Sequence, residues 1–340
     1  MKKSLLALAA LTAFAGVASA QSSVTLFGIV DLSVNSVKNG SVTQKLMSSN
    51  QLNSNRLGFR GVEDLGGGMK AGFWIEGGMD NDTGGTGQTW QRRSTVSLMG
   101  GFGEIRLGRD YTATFWNYTF FDPFGTNGLG NVLNTVSTLS SGATTLVRAN
   151  NTVSYFLPAM GGLYGQLQVA AGEGIAGNKY LGGRIGYAAG PLNVAGAWGK
   201  TEKDGAMIDD YTDMNFGASY NMGFMTLMGQ YSKREYSTRD SKSMLLGMTV
   251  PMGSGTLKAS YVKSSGTSVA LTPDLYDATQ IAIGYQYDLS KRTALYGTYS
   301  RVNNDGNAVT GAKFTVGSGV PMTIGGETSS GYNVGIRHSF

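Results

Sequence analysis

The sequence predicts an all-β protein, namely a transmembrane 16-stranded antiparallel β-barrel with one constriction loop folded inward. Segments of about ten residues alternate between apolar and polar side chains, as strands with a lipid face and a water face do. The mean hydropathy of −0.11 agrees, because such alternation averages to near zero. The last strand also ends on an aromatic residue, Phe340, where the termini of soluble chains usually fray.

The final ten residues form the clearest single strand. Tyr332, Val334, Ile336 and Phe340 fall on one face, because side chains in a strand alternate with period two. The other face carries small and polar residues. A last strand that is apolar outside and pairs with the first strand closes a barrel in lipid. We interpret these four residues as a carboxyl-terminal assembly signal for the barrel-assembly machinery.

The amino terminus predicts export. Residues 1–20 combine a basic start, an apolar stretch over 5–17 and the small-residue cleavage site Ala18-Ser19-Ala20, which together are typical of a secretory signal peptide. The alternative, a membrane anchor, needs about 20 apolar residues. We therefore expect residues 21–340 to form one barrel domain in the outer membrane of a Gram-negative cell.

Tight turns and long polar loops alternate between the predicted strands, as barrel hairpins require. The predicted strands are 22–32, 56–62, 69–78, 91–99, 104–109, 151–157, 163–171, 180–188, 192–200, 211–220, 224–233, 242–250, 256–263, 279–289, 293–302 and 331–340. The predicted long loops are near 36–53, 79–90, 110–150, 172–179, 201–210, 234–241, 264–278 and 303–330.

Composition argues against several function classes. The chain has no cysteine and one histidine, which excludes thiolate and multi-histidine metal sites. A catalytic serine paired with His338 is disfavoured, because parity points that ring to the lipid face. Calcium binding by the acidic segments 80–82 and 209–210 is an alternative to simple solvated loops. The net charge of +5 is too small to predict nucleic-acid binding, and we expect no enzyme activity, no metal and no cofactor.

The longest predicted loop carries the first functional signal. A loop of this length in a compact domain is usually functional. It is too aromatic to be a solvated flap, and its rings must be buried somewhere. The barrel lumen is the nearest protected place, so the loop is predicted to narrow the pore. The aromatic residues concerned are Phe115, Trp116, Phe120, Phe121 and Phe124.

Arginines on the predicted inner face carry the second signal. Arginine is costly at mid-membrane, so Leu57 and Phe59 should face lipid, and Arg56 and Arg60 should face the lumen. A ring of guanidinium groups in a narrow pore favours anions and repels cations. The same alternation of faces places Arg93 inside the barrel. Arg92 would then point outward, so it requires a bulge, a rim position or a subunit interface. Arg148 lies where the long loop meets the sixth predicted strand.

Each single arginine is equally compatible with a structural ion pair to Asp31, Glu76, Glu104 or Asp122, although the cluster as a whole favours the pore. Glu104 is also a candidate for an acidic position in the constriction.

Four segments resemble the trimeric general porins of β-proteobacteria. They are Ser22-Ser-Val-Thr-Leu-Phe-Gly-Ile-Val-Asp31, Arg56-Leu-Gly-Phe-Arg-Gly-Val-Glu-Asp-Leu-Gly66, Gly103-Glu-Ile-Arg-Leu-Gly-Arg109 and Val334-Gly-Ile-Arg-His-Ser-Phe340. The resemblance implies a sixteen-stranded barrel, a homotrimer with its interface around the first and last strands, and a constriction loop after strand five.

The resemblance also implies passive diffusion with anion preference. Its constriction residues match Arg56, Arg93 or Arg92, and Arg148, with Asp122 as the opposing acid of the loop.

The sequence as a whole therefore predicts a general diffusion porin for ions and small hydrophilic solutes. Expected partners are outer-membrane lipid, lipopolysaccharide and two further copies of the chain, and no nucleic acid. Two alternatives stay open: a substrate-specific channel on the same barrel, whose loop aromatics would bind sugars or aromatic acids, and a plugged structural or adhesin barrel.

Overall fold

A computed structural model describes residues 23–85, 89–141, 143–202, 209–267, 276–307, 311–317, 320 and 322–340. The predicted signal peptide, residues 1–20, lies outside the described residues. Within these ranges the protein is almost entirely β-structure, which confirms the predicted fold class.

The described residues form seventeen strand segments and two short helices. The strands are β1 Ser23–Asn39, β2 Val42–Ser49, β3 Arg56–Gly66, β4 Met69–Gly78, β5 Arg93–Gly100, β6 Gly103–Tyr111, β7 Arg148–Phe156, β8 Leu163–Ala170, β9 Lys179–Ala189, β10 Leu192–Glu202, β11 Tyr211–Asn221, β12 Thr226–Tyr236, β13 Arg239–Met252, β14 Gly255–Thr267, β15 Ala278–Asp288, β16 Thr293–Asn304 and β17 Thr328–Ser339. The helices are α1 Ala113–Phe120 and a 3₁₀ helix Val132–Thr135. No helix in the described ranges is long and apolar enough to span a membrane.

The seventeen segments form a ring of sixteen strands, because β2 and β3 share one position. The first part of β1 pairs with β3 and its second part pairs with β2. Residues 50–55 separate the two segments, and the Asp31 carboxylate holds them by accepting the backbone N–H groups of Leu52 and Asn53 at 2.7 and 2.6 Å. The predicted loop 36–53 is therefore wrong: most of it is strand, with a tight turn at Gly40 and Ser41.

A second difference concerns the predicted loop 234–241. β12 and β13 extend into it and leave only residues 237–238 between them. The extension lies beyond the apolar part of these strands. Its side chains are polar on both faces, so the sequence there lacks the alternation of apolar and polar residues that predicts a strand.

The last strand closes the ring against the first. β17 pairs antiparallel with β1, from Ile29 opposite Ser339 to Asn39 opposite Ser329. Beyond the strand, Phe340 exchanges both backbone hydrogen bonds with Gly28, at 3.0 and 3.1 Å. A Cβ at Gly28 would overlap the Phe340 ring, so only glycine fits beneath it.

The two faces of the barrel differ in polarity. Tyr332, Val334 and Ile336 are exposed on the outside, together with apolar residues of nearly every other strand. The inner face is polar; for example, Asn35, Gln168 and Gln280 are almost fully buried there. This arrangement is what a lipid-facing exterior and a water-filled interior require.

We predict that Gly28→Val destabilises barrel closure by about 1–3 kcal/mol, because the new side chain must displace the Phe340 ring. The measurement is the temperature at which the folded barrel loses its fast migration on an unboiled gel. Gly196→Val is the matched control, because a Cβ there meets no atom within 4 Å. If both variants unfold at the same temperature as the parent, the Phe340 contact does not secure closure.

Candidate pore constriction

The described part of the segment between β6 and β7, residues 112–141 and 143–147, lies inside the barrel. Its helix α1 is held to the inner wall by side-chain hydrogen bonds. Asn117 donates to the Ala195 carbonyl at 3.2 Å and accepts from Gln230 through its own carbonyl at 2.8 Å. These bonds fix α1 against β10 and β12, so this segment is the inward-folded constriction loop.

Tyr118 anchors the same helix to β11, the strand between β10 and β12. The ring is fully buried, and its hydroxyl donates to Asp213 Oδ1 at 2.9 Å. Burial raises the pKa of Tyr118 far above its ordinary value, so the phenol stays protonated as a donor. The anchor is therefore a hydrogen bond from a neutral phenol to the Asp213 side chain.

Asp122 organises the loop after α1. Its carboxylate accepts the backbone N–H groups of Phe124, Thr126 and Val132 at 2.9, 3.0 and 3.1 Å. Burial raises the pKa of Asp122 to about 6, although these three bonds and Lys258 act in the opposite direction. The side chain is 3% exposed. It therefore does not line the pore as an opposing acid, because its oxygens already serve backbone groups that would otherwise be unpaired.

The predicted loop aromatics do not all behave as expected: Phe120 is 47% exposed rather than buried, and the other four divide into two groups. Phe121 and Phe124 are buried against the wall, where a Cβ at Gly217 or Gly284 would press on their rings. These glycines make flat places in the wall on which the loop rests.

Phe115 and Trp116 instead contact Tyr111, the last residue of β6. The Phe115 ring is stacked on Tyr111 with centroids 4.8 Å apart, and the Trp116 ring meets it edge-on at 5.2 Å. These two rings therefore pack the start of α1 against the end of β6.

The rest of the loop crosses the lumen. Ser264 and Gln280 hold it on one side, donating to the Thr135 hydroxyl at 2.8 Å and to the Asn131 carbonyl at 3.2 Å. On the other side, Ser54 donates to Asn127 Oδ1 at 2.8 Å. The open part of the pore is therefore left between the loop and strands β3 to β7.

Six arginines lie along that open side, and we call them the arginine wall. They are Arg56, Arg60, Arg92, Arg93, Arg106 and Arg148. They occupy β3, β5, β6 and β7, with Arg92 directly before β5.

The upper cluster of the wall surrounds Glu76 and Tyr111. Arg56 and Arg92 share Glu76 Oε1, at 3.4 and 2.6 Å. Arg92 and Arg148 both donate to the Tyr111 hydroxyl, at 3.0 and 2.9 Å. Arg92 thus contacts the lumen from the rim, one of the positions that its parity allowed. One carboxylate faces three guanidinium groups, so the cluster carries excess positive charge.

The lower cluster is an alternating ladder. Arg106 pairs with Glu104 at 2.8 Å and with Asp110 at 2.6 Å. Arg93 approaches the same Asp110 oxygen at 3.8 Å. Glu104 is thus a partner of Arg106 near a short turn rather than part of the narrowest level. The sequence analysis missed Arg106 and Asp110. Arg106 could have been found, because it lies two residues after Glu104 and therefore on the same face of the strand. Asp110 could not, because the register shift after Gly108 changes the face on which it lies.

Arg60 differs from its neighbours in the wall. Its guanidinium lies over the rings of Phe27 and Trp74, at 5.3 and 5.1 Å from their centroids. Among the described residues, neither Arg60 nor Arg148 forms an ion pair, whereas Arg56, Arg92, Arg93 and Arg106 do. The sequence left two interpretations open, structural ion pairs and pore-lining charges, and each describes part of the wall. The wall as a whole keeps an uncompensated positive charge.

A cavity of about 720 Å³ lies between the upper cluster and the loop. Arg92 and Arg148 line it on the wall side, and Thr126, Asn127 and Asn131 line it on the loop side. In the described ranges, no three acidic or histidine side chains are grouped so as to hold a metal ion. Two guanidinium groups, Arg92 and Arg148, and one carboxylate, Asp80, line the cavity, so its lining carries excess positive charge and can attract small anions.

The protein-family comparison matches the model of a Gram-negative porin over residues 7–307. The chain belongs to the Gram-negative porin family. Outer membrane porin protein 32 of Delftia acidovorans is 39% identical, and the match covers the full length of both chains. The porin family places the chain in the Gram-negative outer membrane, and its fold is that of a channel.

Solved porin structures agree in fold. An anion-selective porin from Comamonas acidovorans superposes with a TM-score of 0.83 at 34% identity, covering 94% of this chain and 100% of that one. OmpT of Vibrio cholerae in its trimer form has a TM-score of 0.66 at 15% identity, covering 94% and 99%, which shows the shared fold alone. The recognition of a porin from its four motifs is confirmed.

We predict that Asp122→Asn loosens the constriction loop of this porin by about 1–3 kcal/mol, because an amide nitrogen would face backbone N–H donors. Increased noise in the single-channel current and faster proteolysis within residues 112–147 are the expected results. Asp305→Asn is the control, since that side chain lies on an exposed loop. Equal noise and equal cleavage in both variants would show that Asp122 does not hold the loop.

Proposed function

We propose that this porin is a general diffusion channel with anion preference, and that the upper cluster of the arginine wall is its filter. The observation that supports this most directly is the cavity between the loop and Arg92 and Arg148. Six guanidinium groups line one side of the lumen, whereas Glu76, Glu104 and Asp110 are the carboxylates they pair with.

The physical basis is electrostatic focusing. Unit charges 4 Å apart interact by about 1 kcal/mol in bulk water and by several times more near a protein surface. A narrow lumen with low-dielectric walls strengthens this field, so anions concentrate beside the wall and cations are repelled. Salt screens the field over about 8–10 Å, which makes the preference strongest in dilute electrolyte.

Transport is passive. The loop narrows the lumen and sets the size limit, while solutes move down their own gradients without a chemical step or a cofactor. The cavity favours this function over a plugged barrel, because the loop rests against β10 to β15 and leaves the opposite side open. The anion-selective porin from Comamonas acidovorans supports the same direction of preference.

The proposal includes assembly. The chain forms a homotrimer with its interface around the first and last strands, as the sequence resemblance implies. Residues 1–20 direct export and are removed, and Tyr332, Val334, Ile336 and Phe340 serve as the signal for barrel assembly. Lipid and lipopolysaccharide contact the apolar exterior. Native mass spectrometry of the detergent-solubilised protein tests the trimer directly; a monomer alone would contradict it.

We predict that replacing Arg56, Arg92 and Arg148 together by glutamine lowers the chloride-to-potassium permeability ratio by about 5- to 30-fold, because about 1–2 kcal/mol of attraction is lost. The measurement is the reversal potential in a planar bilayer under a tenfold potassium chloride gradient. Arg301→Gln is the control, since Arg301 pairs with the outward-facing Ile281.

An unchanged ratio in the triple variant would contradict the filter assignment. Loss of preference in the Arg301→Gln control would show that the overall charge, rather than the cluster, sets the selectivity.

A further inference from the structure

A second cavity lies in the lumen on the side of α1 that is nearer to the short turns. Its volume is about 390 Å³. Two of its lining residues, Phe156 and Tyr164, lie next to the turn between β7 and β8. The cavity is therefore close to the end of the barrel that carries the short turns. The residues that matter for its chemistry are Trp116, Phe120, Phe156, Tyr164, Gln166 and Arg184.

The strand register brings the wall residues of this cavity together on the inner face. Phe156 is directly opposite Gln166, and Gln166 is directly opposite Arg184. Directly paired residues of antiparallel strands share one face of the sheet. Gln166 is 4% exposed and Leu167, its neighbour, faces outward, so the inner placement is unambiguous. The three side chains therefore form a single surface inside the barrel.

Aromatic rings cover the cavity from the loop side and from the wall side. Trp116 and Phe120 are stacked, with centroids 5.5 Å apart and planes inclined by 23°. The Arg184 guanidinium lies 4.9 Å from the Phe120 ring and 4.7 Å from the Tyr164 ring. Phe120 is 47% exposed although it is apolar and lies in the lumen. A flat apolar surface next to a cation is thus open to a solute.

Three donors at this cavity have no acceptor within the described part of the chain. They are Trp116 Nε1, Gln166 Nε2 and Arg184 Nε. A buried donor without a partner is costly, and native structures rarely keep several close together unless something else supplies the acceptor. The Tyr164 hydroxyl is already used, since it donates to Asn193 at 2.6 Å. The site therefore combines unpaired donors buried in its lining with positive charge and ring faces.

We propose that this cavity binds planar aromatic monocarboxylates, of which benzoate is the simplest. The carboxylate supplies acceptors for the donors of Gln166 and Arg184, and a charge-assisted bond to guanidinium is about twice as strong as a neutral one. The ring packs on Phe120 and Trp116 in offset or edge-on geometry. A small aliphatic acid lacks the ring, and a neutral sugar lacks the charge.

The inference rests on the proposed function only in that the solute reaches the cavity through the lumen. The binding residues are separate from the arginine wall, although Arg106 lies 4.1 Å from the Phe156 ring and adds positive charge nearby. Aromatic acids would then be retained in the lower lumen, while other anions pass without stopping.

The test is equilibrium dialysis of labelled benzoate against the detergent-solubilised protein, with acetate and benzyl alcohol as competitors. We expect saturable benzoate binding that neither competitor displaces at equal concentration. Arg184→Gln should weaken binding by about tenfold or more, because the charged donor is lost. Phe120→Leu, at an exposed position, should weaken it about threefold to tenfold, because the aromatic contact is lost. Arg301→Gln on the outer face should bind as the parent does.

Two results would overturn the inference: competition by acetate as strong as that by unlabelled benzoate, or unchanged benzoate affinity in both Arg184→Gln and Phe120→Leu. Fast gel migration without boiling shows that each variant is folded. The reversal potential in potassium chloride is measured without benzoate, so it reports the proposed function separately. A wild-type protein that prefers chloride but binds no benzoate would overturn this inference alone.

Discussion

The pairing of β17 with β1 is the interaction on which the rest of the structure depends. Backbone groups exposed to hydrocarbon have no water to bond, so a sheet in lipid must have no free edge. The ring closes through Ile29 to Asn39 and is completed by the two bonds between Gly28 and Phe340. Only a closed ring has an inside, and every feature of the channel is built on that inner face.

The constriction loop makes the inside asymmetric. It rests on β10 to β15 through neutral hydrogen bonds and through rings that lie on glycine, as Phe121 does on Gly217. This side of the lumen therefore presents loop backbone and amides. The opposite side keeps its charged side chains in contact with water. Selectivity follows from this division, because the field of the arginine wall acts across a gap that the loop has narrowed.

Strand positions and faces could be read from the sequence, because period-two alternation and the cost of arginine in lipid depend only on neighbouring residues. Arg56 and Arg93 lie on the inner face for that reason. The role of Asp122 could not be read, since it depends on backbone groups up to ten residues away that turn toward it only in the folded loop. β2 was missed because its exposed, polar residues resemble a loop, and Asp110 was missed because a register shift changes its parity.

The most direct test of the central claim is the position of anions in crystals of the porin grown or soaked in rubidium bromide, located by the anomalous scattering of both ions. The account predicts bromide in the cavity beside Arg92 and Arg148, with rubidium absent from that side of the lumen. Rubidium beside these arginines, or bromide spread evenly over both sides of the constriction, would contradict the assignment of the arginine wall as the anion path.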